Sequence, residues 1–354
     1  MERDVLGFWE KLKKPILALS PLADVTDAAF RRLIAKYGKP DVMFTEFVSA
    51  DGLMLADARG KAKLMKDLMF TSAERPIVAQ FFSAKPDMIE GAARLARELG
   101  FDGIDINMGC PDRSVERQGA GAALIKNPKL AVKLIEAAKR GAGPLPVSVK
   151  TRVGYSKVEL NDWIPALLGT GIAVLTVHAR TRKEMSLVPA RWEHVRETVA
   201  WRNKLGVKTL ILGNGDLVDT EDARQKVVET GADGAMLGRA IFGNPWLFSS
   251  VIPAEAGIQN QKEMIRRKLS VALEHTKLFE ELFGGAYLPS HKSSEDYPKR
   301  IKNFSVMKKH YKAYIAGWGG AKEFRLRLMG RNNAEEVEEI IWNYLKITCG
   351  PEGN

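Results

Sequence analysis

The chain has 354 residues, 45% hydrophobic and 27% charged, a balance that fits a soluble globular protein of one large or two smaller domains and excludes collagen, coiled coil and disorder. Its two cysteines, Cys110 and Cys349, exclude a disulfide framework or cysteine-rich zinc site and point to the cytoplasm. The net charge is +11, no apolar run reaches the ~18 residues of a spanning helix, and the amino terminus MERDVLGFWEKLKK has no apolar signal core, so no membrane attachment is expected.

In chain order, eight short β-branched or apolar runs recur: Ile16–Leu19, Val42–Glu46, Ile77–Phe81, Gly103–Asn107, Val147–Thr151, Val174–His178, Thr209–Gly213 and Gly234–Leu237. Helical segments lie between them, among them Asp27–Tyr37, Pro86–Leu99, Pro128–Arg140, Trp192–Trp201 and Thr220–Thr230. Asn127-Pro128 and Asp219-Thr220-Glu221-Asp222 read as helix starts, and Gly100 and Gly231 stand where left-handed C-caps belong. Eight strand–helix units predict a TIM (β/α)8 barrel over about residues 15–248. An open doubly wound sheet predicts a glycine-rich turn after the first strand, and SPLADVTD contains no glycine.

Residues 251–262 read as a linker or insertion between a barrel domain, 1–250, and a helical domain, 263–354. The latter is expected to carry helices over Glu263–Phe283, Pro298–Ala316 and Ala334–Lys346, with a polar loop Gly284–Tyr297. Between Lys299 and Arg331 lie ten Lys or Arg and one acid, Glu323. That run is either a solvated helix face or a polyanion-binding surface, and its aromatics, Phe304, Tyr311, Tyr314 and Trp318, fit the buried side of a helix.

A barrel carries its chemistry at the C-terminal ends of its strands. There the chain places Pro21-Leu22-Ala23-Asp24, Glu46, Gln80, Asn107-Met108-Gly109-Cys110-Pro111, Lys150 and Arg152, His178 and Arg180, Gly213-Asn214-Gly215-Asp216, and Gly238-Arg239. Packing alone does not require such a polar ring. The segments after strands 7 and 8 occupy the usual phosphate position, where Asn214, Gly215 and Asp216 offer a turn and Arg239 a fork of donors. Lys150 can neutralise charge on a bound ring and Gln80 can hydrogen-bond one; the alternative for both is snorkelling to solvent. Cys110 sits in a loop, as either a protonated general acid or a thiolate nucleophile. His178 can donate to a ligand oxygen or be a satisfied core residue. The five histidines show no metal-binding spacing, so no metal is expected.

In their order these motifs resemble the tRNA-dihydrouridine synthase family. Ser20–Asp27 resembles its flavin loop, with Leu22 where methionine is usual. Asp105–Pro111 resembles its N-x-G-C-P signature, Lys150-Thr151-Arg152 its K-x-R, His178–Arg182 its H-x-R-T-R, and Asn214–Asp216 with Gly238-Arg239 its phosphate clamp. Met307–Leu328 resembles its helical RNA-binding domain. After H-A-R-T-R the family pattern M-Y-x-G-x-A-D-W becomes Met185–Trp192 without its Tyr, Gly and Asp.

The resemblance implies reduction of the C5–C6 double bond of a uridine in tRNA, with FMN as cofactor and NADPH as electron source. It assigns Cys110 as proton donor. Pro21, Leu22, Ala23, Gln80, Lys150, His178, Asn214, Gly215, Asp216, Gly238 and Arg239 go to the cofactor, and Asn107, Arg152 and Arg180 to the substrate. A cytoplasmic monomer is expected. The rivals are a small-molecule flavin reductase of the dihydroorotate dehydrogenase type, which needs no basic appendage, and an RNA-binding protein on an inactive barrel, which does not need the flavin residues.

Overall fold

The computed structural model of the protein describes residues 5–249, 261–284 and 301–349. Its strands are β1 (Ile16–Leu19), β2 (Met43–Ser49), β3 (Ile77–Phe82), β4 (Gly103–Met108), β5 (Val147–Arg152), β6 (Val174–His178), β7 (Leu210–Asn214) and β8 (Gly234–Leu237). All pair in parallel, each with the next from β2 to β8, and β8 with β1. A bridge between Ala18 and Val42, with Leu19 N donating to Val42 O at 3.1 Å, closes the circle. This is the expected (β/α)8 barrel. Its strands are near-continuously buried because side chains cover one face and helices the other.

Register sorts the interior into layers. The pairs Gln80–Asp105, Asp105–Ser148, Asn107–Lys150, Arg152–His178 and His178–Asn214 are cross-strand neighbours. Residues two apart on a strand share a face, so these polar groups all point inward above an apolar floor. That floor contains Ile16, Ala18, Phe44, Val78, Val174, Leu212 and Met236. Trp9, on the 3-10 turn Gly7–Lys11, packs into the same cluster and stacks on Phe8 at 4.8 Å. The charged amino-terminal segment thus caps the barrel's N-terminal end, a role its composition does not announce.

Local chemistry sets most boundaries. Asn127 accepts from Leu130 N with Pro128 in the first turn, Asp219 accepts from Asp222 N, and Gly231 ends the helix Thr220–Thr230 at φ 72°. Two departures have physical causes. A register shift between Phe44 and Phe47 extends β2 beyond Glu46, so Phe47 rather than Glu46 comes into register with Gln80. The helix Leu160–Leu168, outside the segments named above, contains Pro165, which lacks the N–H that would bond Asn161 O, and it resumes beyond the proline, with Gly169 N bonding Pro165 O at 2.9 Å.

The described residues divide into two compact units, one of 5–23 and 40–240, the other of 24–39 and those from 241 onward. The second contains the helices Ala28–Tyr37, Gln261–Phe283, Met307–Tyr314, Ala321–Met329 and Ala334–Cys349. Residues 251–260 of the expected linker, 285–297 of the expected polar loop and 298–300 of the expected helix Pro298–Ala316 lie outside the described residues. Within the span of that expected helix, Phe304–Val306 is a 3-10 turn before Met307–Tyr314. A further helix, Ala321–Met329, follows Gly320, which is left-handed at φ 83°. Phe304, Tyr311, Tyr314 and Trp318 are all buried, as the apolar side of a basic-faced segment.

Candidate active site

A cavity of about 770 Å³ opens at the C-terminal ends of the strands, a size typical of small-molecule sites. Its lining includes Pro21, Leu22, Ala23, Asn107, Cys110, Lys150, Arg152, His178, Arg180, Asn214, Gly215, Asp216, Gly238 and Arg239. Every residue assigned to a site from sequence is there except Gln80. That glutamine is fully buried beside the cavity: its Nε2 donates to Asp105 Oδ2 at 2.7 Å and its Oε1 accepts from Asn107 Nδ2 at 2.9 Å.

The electrostatics favour an anion. Lys150, Arg152, Arg180 and Arg239 line the cavity against a single carboxylate, Asp216. Burial, with Arg152 nearby, pushes Lys150 down to about 8, so it still carries its proton at neutral pH. Burial and the surrounding Arg152, Lys150, Arg180 and Arg239 hold His178 well below its usual range. Its imidazole is therefore neutral, and Nε2, 3.2 Å from Arg180 Nη1, is the acceptor because a guanidinium can only donate. Lys150 Nζ donates to Asn214 Oδ1 at 3.3 Å, and Asn214 Nδ2 donates to Met236 O at 2.7 Å.

At the rim, Asp216 accepts from Arg180, from Ala190 N at 2.8 Å and from Arg239 Nη2 at 2.6 Å. Arg239 remains 63% exposed and so keeps donors for a ligand. Gly215 sits at φ 130°, and a Cβ there would lie 2.7 Å from the Ala190 Cβ, so only glycine fits and its peptide stays open to approach.

Arg152 and Arg180, assigned to substrate by the resemblance, spend donors on loop backbone. Arg152 Nε donates to Gly109 O at 2.9 Å, and its Nη1 to Thr181 O at 3.1 Å and Met185 O at 3.0 Å. Arg180 Nε donates to Val188 O at 2.6 Å. These bonds tie the Cys110 loop and the loop after β6 to the barrel. The altered stretch Met185–Trp192 is thereby held by backbone carbonyls, whatever its side chains.

Asn107 braces the Cys110 loop. Its Oδ1 accepts from Cys110 N at 2.9 Å and Gly109 N at 3.1 Å. Cys110 is half-buried, and that burial raises its thiol above the usual range, which favours the protonated thiol over a thiolate. The sequence assigns no role to Asp105 or Ser20, which only open quoted motifs, and passes over Phe47 and Met236; Ser20, Phe47 and Met236 also line the cavity. The signal for Asp105 is period 2: it lies two residues before Asn107 on the same strand face. Among the described residues no group of three or more His, Cys, Asp or Glu is placed to hold a metal.

The family profile described as "Dihydrouridine synthase (Dus)" matches residues 17–343. A relative described as "Probable tRNA-dihydrouridine synthase 2" from Bacillus subtilis (strain 168) is 36% identical over 336 residues, 95% of each chain. A "Probable tRNA-dihydrouridine synthase" of Staphylococcus aureus (strain MRSA252) is 34% identical over 336 residues, 95% of this chain and 94% of that one. Among solved structures, a morphinone reductase in complex with tetrahydroNAD aligns with a TM-score of 0.45 at 14% identity, covering 66% of this chain and 85% of its own.

Proposed function

Because the chain belongs to the dihydrouridine synthase family, we propose that it reduces the C5–C6 double bond of a uridine in tRNA, using FMN and NADPH, as a cytoplasmic monomer. The observation that carries this reading is the cavity itself: four cations, a neutral imidazole and a protonated cysteine converge on one space. No helix among the described residues is long and apolar enough to cross a membrane.

The residues fit a flavin mononucleotide. Gly215 and Gly238 would offer its phosphate open backbone, and Arg239 free donors. Pro21, Leu22 and Ala23 offer a wall for the ring, Lys150 a positive charge, and His178 a neutral donor through Nδ1. Asn214 and Asp216 hold Lys150 and Arg239 in place, and Gln80 holds Asn107. When bound, FMN supplies the hydride for C6 of the pyrimidine.

The protein's own step is proton delivery. Cys110 keeps its proton at neutral pH and stands at the cavity, so its Sγ–H can protonate C5. Asn107 fixes the loop that carries this thiol and borders the space for the base, while Arg152 and Arg180 shape that side by holding both loops. The base must leave the RNA stack to enter. The basic helical segment is assigned to the tRNA backbone.

Purified protein supplied with FMN, NADPH and unmodified tRNA transcript should form dihydrouridine, detected by mass spectrometry of the digested RNA. A protein that takes up no FMN, or binds it but leaves every uridine intact, overturns the reading.

A further inference from the structure

Four side chains form an unbroken hydrogen-bonded chain beneath the cavity. Ser148 Oγ donates to Asp105 Oδ1 at 2.6 Å, and Gln80 Nε2 donates to Asp105 Oδ2 at 2.7 Å. Asn107 Nδ2 donates to Gln80 Oε1 at 2.9 Å, and Asn107 Oδ1 accepts from the backbone of Gly109 and Cys110. All four side chains are buried, and Asp105 is wholly so.

The chain has a direction, set from both ends: by the acceptor-only carboxylate of Asp105 and by the donor-only N–H groups of Gly109 and Cys110. An ionised carboxylate accepts and cannot donate. Its Oδ2 therefore selects the amide nitrogen of Gln80, which turns Oε1 toward Asn107. That oxygen selects the amide nitrogen of Asn107, which turns Oδ1 toward the two N–H groups of the cysteine loop. Either amide reversed would bring donor against donor, a costly mismatch in a buried network. A carboxylate two positions before Asn107 has no packing reason to be buried, since an isosteric apolar residue would avoid its desolvation.

We propose that Asp105 is a positioning residue: through Gln80 and Asn107 it orients the loop that presents the Cys110 thiol to the cavity. This deepens the reading of Cys110 as proton donor and rests on it, but the geometry it asserts can be measured without any RNA.

Asp105→Asn keeps the shape but exchanges a charge-assisted acceptor for a neutral amide that can also donate, so Gln80 and, through Asn107, the loop are held more weakly. Thiol release from its half-buried setting should shift the pH profile of Cys110 alkylation by iodoacetamide, resolved from Cys349 by peptide mass spectrometry. The expected shift is downward by about half a unit, or roughly threefold faster alkylation near pH 8. Gln80→Met cuts the chain at its middle and should give the same shift, which keeps the test open if either variant folds poorly. The deciding protein is the double variant Asp105→Asn with Gln80→Glu. There the amide introduced at position 105 donates to one oxygen of the new carboxylate and Asn107 to the other, which restores a charged acceptor to the chain in its original direction. Its alkylation profile should return to that of the wild type. In uridine reduction, kcat of Asp105→Asn should fall roughly 10²-fold, as for a misplaced reacting group, with KM for tRNA little changed and most of the loss recovered in the double variant. An unaltered profile in both single variants overturns the proposal. So does a shifted profile that the double variant fails to restore, which would mean the charge itself matters at position 105. If the wild type reduces no uridine, the functional reading fails while the thiol profiles still decide the positioning.

Discussion

Asp216 and Arg239 meet at 2.6 Å on the cavity rim, and the same carboxylate holds the buried Arg180 through its other oxygen. One acidic residue, from the loop after β7, thus aims one arginine and anchors another. It also explains why Arg239 stays in place while remaining largely exposed.

Arg239→Ala should weaken FMN binding about 10- to 100-fold, the range for losing a charge-assisted pair worth about 1.5–3 kcal/mol. Arg239→Lys keeps the charge but not the fork and should fall between. Titration of the apoprotein by flavin fluorescence reads this directly, and an unchanged affinity would remove Arg239 from the phosphate site.

Cys110→Ala should bind FMN and accept electrons from NADPH as the wild type does, because neither step needs the thiol proton. Uridine reduction should slow about 10²- to 10⁴-fold, the usual contribution of a general acid. Stopped-flow measurement of the two half-reactions separates them; a wild-type rate with tRNA would make the cysteine merely structural.

The helical unit should lose stability in mild acid. His275 and His310 lie in van der Waals contact range, their ring centroids 4.4 Å apart, wrapped by Phe30, Phe242 and Tyr314. Both are fully buried, and neither nitrogen of His310 has a hydrogen-bond partner. Burial pushes His310 from 6.5 down to about 3, and burial with His310 nearby holds His275 well below the same starting point. Below pH 6.5 the unfolded chain takes up protons that the folded one refuses. The full stability is therefore present above that pH and declines as pH falls toward the folded values. The limiting slope is about 1.4 kcal/mol per pH unit for each histidine. Urea unfolding at about pH 7 and about pH 5.5 should show the loss, and His310→Phe should reduce the slope by about one histidine's share.

The basic segment should govern salt-dependent tRNA affinity. Arg325 is not a good probe, because its Nη1 donates to Ile315 O at 2.8 Å, and Lys309 pairs with Asp24 at 3.2 Å. Lys312, Lys322 and Arg327 are exposed. Reversing these three charges should weaken tRNA binding and flatten its dependence on salt, since each phosphate contact releases condensed counterions. Filter binding at several salt concentrations checks this; equal slopes would leave the segment a solvated face.

The strands, their order and the polar ring were legible in the sequence because each is local: short apolar runs between capped helices, with chemistry at the next residue. Each helix and strand segment named for the barrel begins within one residue of its observed start. The expected segment Trp192–Trp201 stops short because the observed helix runs on to Leu205, where the left-handed Gly206 closes it. What each polar residue does was not legible, because that depends on partners distant along the chain. Gln80, Asp105 and Ser148 come from three strands and become neighbours only through register. Arg152 and Arg180 line the cavity and also grip the backbone of loops that sequence leaves unplaced. The Phe47 bulge and the Trp9 cap likewise exist only once the sheet closes. The sequence alone determined which residues reach the open end of the barrel, since a two-residue repeat needs no knowledge of neighbours. Which of them hold the others was decided by tertiary structure, because a buried donor or acceptor must find its partner wherever the fold puts one.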